Sequence, residues 1–94
     1  MIEVTITPLE RGDHVDVVVI ASQAEISGFV ERVDFGARYQ RVDVGGDREL
    51  ELGKLVHVGS IEFRKDGRWQ LALRTPAAEV VKRLPVGSTQ RSEK

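Results

Sequence analysis

The chain contains no cysteine. Disulfides and thiolate chemistry are therefore excluded, and a reducing compartment is the natural setting. Aromatic residues are scarce: three Phe, one Trp and one Tyr in 94 residues. The core must be built mainly from Val, Ile and Leu, and the β-branched residues among them favour strands. The longest apolar run, Val17 to Ala21, is far below the roughly 20 residues that a membrane span needs. The N-terminal MIEVTITPLE alternates and carries acid, without the basic and apolar regions of a signal peptide. A cytoplasmic protein that does not engage membranes is the expectation.

Chemistry-bearing motifs are equally sparse. His14 and His57 are the two histidines, and neither stands in a metal-ligand or zinc-protease spacing. Ser22, Ser27 and Ser60 lack the context of an activated nucleophile. Glu49 and Glu51 lie two apart on one predicted strand face, a pattern that a solvated face produces without acid–base chemistry. No glycine pattern matches a phosphate-cradling or dinucleotide-binding loop. Arg11-Gly12-Asp13 spells an adhesion tripeptide, but Gly-Asp is also what a turn prefers. No catalytic residue, cofactor site or metal site is therefore expected, and the chain reads as a non-enzyme.

What is present is patterning. Ile2, Val4 and Ile6 alternate with polar residues, and Val15, Val17, Val19 and Ala21 form a second alternation. A turn centred on Arg11-Gly12 places Val4 opposite Val19 and Ile6 opposite Val17. The second run is apolar on both faces beyond Asp16, which predicts a central strand covered on both sides. Ser22 and Glu25 form a capping box. Ile26, Phe29, Val30 and Val33 then share a helical face, so residues 23–34 read as helix rather than strand, with Gly36 as its stop. Val42 and Val44, then Leu50 and Leu52, flank Gly45-Gly46 as a hairpin. Leu55, Val56 and Val58 lead on, with a candidate bulge at Gly59.

The segment from Ile61 to Leu84 carries the densest local signals. A three-residue turn, Lys65-Asp66-Gly67 with Gly67 left-handed, pairs Phe63 with Trp69 and Ile61 with Leu71 on one apolar face. A two-residue Asp-Gly turn would mix the faces. Thr75 as cap and Pro76 at the first helical position predict a short final helix with Ala77, Val80, Val81 and Leu84 on its apolar face, ended by Pro85.

Residues 1–34 hold seven acids and two bases, and residues 35–94 hold eight acids and twelve bases. A folded domain that interleaves both ends cancels this asymmetry. Within the basic part, Arg38, Tyr39 and Arg41, then Arg64, Lys65, Arg68 and Trp69, interleave bases with aromatics, the pattern with which a sheet can hold single-stranded nucleic acid. The register above instead turns Trp69 toward the core, and the overall charge of −1 is not that of a typical nucleic-acid binder.

Gly28-Phe-Val-Glu-Arg-Val33, Gly36-Ala-Arg-Tyr39, Val42-Asp-Val44 and Gly46-Asp-Arg-Glu-Leu50 resemble, in their glycine and valine spacing, the TOBE-type β-barrel module of ABC-transporter ATPases. That module requires a strand where the Ser22 capping box starts a helix, and it follows an ATPase domain that this sequence does not include.

The expected fold is α+β: a mostly antiparallel sheet of five to six strands, one helix after the first hairpin and a short C-terminal helix. Residues 1–86 are expected to form one compact domain, with 87–94 a flexible C-terminal tail. The expected function is a small non-catalytic binding domain acting through a sheet edge or face on a protein partner, self-association included. The alternative is a nucleic-acid-binding module using Arg38, Tyr39, Arg41, Arg64, Lys65, Arg68 and Trp69.

Overall fold

Alternation at the N-terminus becomes the first strand pair. β1 (Glu3–Pro8) and β2 (Val15–Ala21) run antiparallel, with Val4 opposite Val19 and Ile6 opposite Val17. This is the register that keeps one face apolar. A computed structural model describes residues 2–10, 14–76 and 78–83 of the chain. The predicted turn centre at Arg11-Gly12 and the predicted tail at 87–94 lie outside the described residues.

The described residues form seven strands in two antiparallel sheets and one helix. The α+β class and the antiparallel pairing match the expectation, but the strands divide into two sheets where one was expected. After β2 come α1 (Gln23–Arg32), β3 (Tyr39–Gly45), β4 (Arg48–Gly53), β5 (His57–Phe63), β6 (Trp69–Thr75) and β7 (Ala78–Lys82). One sheet has the order β1-β2-β6-β5 and the other β3-β4-β7. The strand count thus exceeds the expected five to six, because Ala78–Lys82 is a strand.

That strand replaces the predicted final helix. β7 pairs with β4, setting Ala78 against Leu52 and Val80 against Leu50. A lone helix of about nine residues is marginal in water, and Val80-Val81 is a β-branched pair that packs well on a pleated surface. The free side of β4 supplies a backbone ladder and an apolar row for it. Ala77 and Leu84, the other members of the predicted helical stripe, lie outside the described residues.

One core joins the sheets. Val17, Val19, Leu71 and Leu73 come from the four-stranded sheet, and Val42, Val44, Leu50 and Leu52 from the three-stranded one. All eight are at most 2 % exposed. Burial of this kind is worth roughly 1.5–3 kcal/mol for each full side chain. α1 adds Ile26 and Phe29 and packs against β2, β3 and β6.

The capping box at its start is complete: Ser22 Oγ accepts from Glu25 N–H at 3.2 Å, and Glu25 Oε1 accepts from Ser22 N–H at 3.1 Å. The helix ends at Arg32, with Val33 already extended, so Gly36 is not its stop. Gln40 instead clamps the exit, its side chain accepting from Asp34 N–H and donating to Asp34 C=O.

The prediction for β2 also needs correcting. It is central, between β1 and β6, but Val18 and Ile20 on its outer face are only half-buried among the described residues. Cross-strand neighbours supply what shelter they have. Thr5 and Ala72 flank Val18, and Glu3 and Gln70 flank Ile20.

Candidate interaction surface

Two sheets make four edge strands, and this chain treats them differently. β1 and β7 lie against each other, and Arg48 reaches from β4 to donate to the Ile2 carbonyl at 3.2 Å. β3 is overlain by the helix and its exit, with Arg32 donating to the Asp43 carbonyl at 3.0 Å. β5 pairs with β6 on one side and has no strand on the other among the described residues. It is also the apolar edge. Four of the six exposed large hydrophobic residues among the described ones, Val56, Val58, Ile61 and Phe63, fall in or next to this strand.

The 65–67 turn explains how these residues are presented. Gly67 has φ +84°, a left-handed conformation that costs a residue with a Cβ. Arg64 N–H donates to the Arg68 carbonyl at 2.8 Å, and Phe63 sits opposite Trp69 as the three-residue turn requires. The two rings meet edge to face, with centroids 5.3 Å apart.

The register holds, but the shared face is not all core. Leu71 is buried and Trp69 half-buried against the core, whereas Ile61 is 45 % and Phe63 64 % exposed. The three-stranded sheet does not cover this end of the face. A cleft of about 430 Å³ opens here, lined by α1 residues Gln23, Ile26, Ser27, Val30 and Glu31 and by Ile61 and Trp69.

The bulge expected at Gly59 is present, with the β5–β6 register shifting between Val58 and Ile61. A Cβ at Gly59 would stand 3.1 Å from the Ala72 carbonyl oxygen, so the bulged backbone presses closely on β6.

The basic and aromatic residues divide between the two sheets. Arg38 and Tyr39 are exposed at the start of β3, and Arg41 follows on the same strand. Arg41 donates to the Tyr39 hydroxyl at 2.9 Å and pairs with Glu51 at 2.6 Å, contacts that raise its pKa, the Tyr39 bond most. Arg64, Lys65, Arg68 and Trp69 belong to the β5–β6 hairpin of the other sheet.

Arg64 binds Asp66 and the Gln70 side chain, Arg68 binds Asp66 and Glu3, and Lys65 is exposed. Asp66 is held down at about 2 from an ordinary 3.8, first by the Arg64 hydrogen bond and then by the Arg68 backbone N–H. Three of the five cations are thus engaged by carboxylates. Glu49 and Glu51 likewise meet arginines, Arg41 for both and Arg83 for Glu49.

Val56, Val58, Ile61 and Phe63 were not assigned a contact role by sequence reasoning, because an alternating strand predicts a buried face without saying how far the opposite layer extends. The helix stands where the TOBE-type module requires a strand. Compared with known proteins, the chain matches no family model, no curated protein and no solved structure.

Proposed function

We propose that this is a small non-catalytic binding domain that engages a protein partner through β5 and the cleft beside it. The observation that carries the reading is the concentration of exposed Val56, Val58, Ile61 and Phe63 in or next to β5, the edge left open among the described residues. An unpaired apolar edge is either a binding site or an aggregation hazard. The cleft supports binding rather than catalysis, since Glu31 is the one titratable group among its lining residues. The nucleic-acid alternative is weaker because Arg41, Arg64 and Arg68 already hold carboxylates.

The test compares immobilised wild-type protein with Phe63→Lys in retaining partners from lysate. Trp69 fluorescence is followed in parallel against single- and double-stranded oligonucleotides at low salt. Protein retention that depends on Phe63 is the expected outcome. A salt-sensitive fluorescence change with oligonucleotide would transfer the function to nucleic acid.

A further inference from the structure

The open edge has a charge as well as an apolar row. Ile61 lines the cleft and Phe63 shares its face opposite Trp69, while Glu62 between them points to the other side of the sheet, opposite Gln70. Glu62 accepts from the Ser60 hydroxyl at 3.1 Å, and no ion pair among the described residues engages it. Glu31 adds a second acid at the cleft itself. The bases nearest in sequence, Arg64 and Arg68, are committed to Asp66, Gln70 and Glu3, which leaves Lys65 at the hairpin tip.

A second copy of β5 fits this edge poorly. Antiparallel self-pairing about Glu62 would set Ile61 against the copy's Phe63 and keep the apolar rows together. It would also set Glu62 directly against its own equivalent, and like charges in that position oppose pairing. Self-pairing about Ile61 avoids the repulsion but places Phe63 against Gly59, within the bulge where the ladder is irregular. A basic residue across from Glu62 turns the repulsion into attraction while leaving the apolar row intact.

We infer that the occupant of the β5 edge is an extended segment of another protein with apolar–basic–apolar alternation. Its apolar side chains extend the Ile61 and Phe63 row over the cleft, and its basic side chain lies opposite Glu62. Main-chain pairing supplies affinity and the alternate side chains supply choice. This inference rests on the proposed binding role of β5 and names what that role selects.

The test uses short capped synthetic peptides of alternating valine and threonine, with lysine or glutamate replacing the central threonine. Binding is read by Trp69 fluorescence and by anisotropy of a labelled peptide. The lysine peptide should bind about fivefold tighter than the glutamate peptide at low salt, as one opposed charge pair implies. Glu62→Lys, an exposed substitution, should reverse that order. Equal affinities, an order unchanged in Glu62→Lys, or no binding of either peptide would overturn the inference. A dimer abolished by Ile61→Lys in sedimentation would overturn it in favour of a second copy. If the peptides fail but Phe63→Lys still abolishes retention of a protein partner, the broader binding role survives without the strand. If neither peptides nor partner depend on β5, both readings fail.

Discussion

Single residues decide the conformation of the β5–β6 tip. Gly67→Val forces a Cβ into a backbone at φ +84° and should lower stability by about 1 kcal/mol or more, measured as a shifted denaturation midpoint. Asp66 gives the same tip a pH signature. Its carboxyl is held at about 2, below the ordinary 3.8, so on acidification the unfolded chain takes up that proton first. The contribution is therefore complete above about pH 4 and is lost as the pH falls toward about 2. An NMR titration should place the native Asp66 midpoint near the lower value, and Arg64→Gln should move it back upward. The turn was legible in the sequence because an error of one residue would have mixed Phe63 with Gln70. What was not legible is that Phe63 would end 64 % exposed, since exposure depends on where the other sheet stops.

Elements were legible where local and long-range preferences agree, and illegible where they compete. α1 begins at its capping box, and Ser22→Ala should cost about 1 kcal/mol in a thermal or chemical melt. In the segment after Pro76, helical spacing and strand alternation both fit a few residues. The ladder offered by β4 decides between them, and no local signal reports it.

The two readings of that segment differ at Val81. A helix would bury it with Val80, whereas β7 turns it outward beside Glu49 and near Asp43. Val81→Lys should therefore change stability by less than about 0.5 kcal/mol. Val80→Asp places a charge against Leu50 and should cost about 3 kcal/mol. Comparable large losses for both substitutions would restore the helix.

At the scale of the whole molecule, the way the chain closes itself decides which strand edge stays open. Among the described residues β1 meets β7, the helix exit covers β3, and β5 is left over. The arrangement of edges was not legible from the sequence, because the alternation of β5 resembles that of any half-buried strand. The seven residues singled out as a basic and aromatic set were legible as a composition but not as a surface. Their division between two sheets, and the pairing of Arg41 with Glu51 and Arg68 with Glu3, depend on folding partners distant in sequence.

The order of strands in space constrains the order of events as the chain leaves the ribosome. β2 needs β6 beside it and β4 needs β7, and both partners lie beyond Arg68. Until those residues emerge, the rows carried by Val17 and Val19 and by Leu50 and Leu52 have a strand neighbour on one side only. Neither half of the sandwich can mature early, so the nascent chain passes through a stage in which two templates for misassociation stand open at once. β6, wedged between β2 and β5 and continuing toward β7, ends that stage for both sheets nearly together.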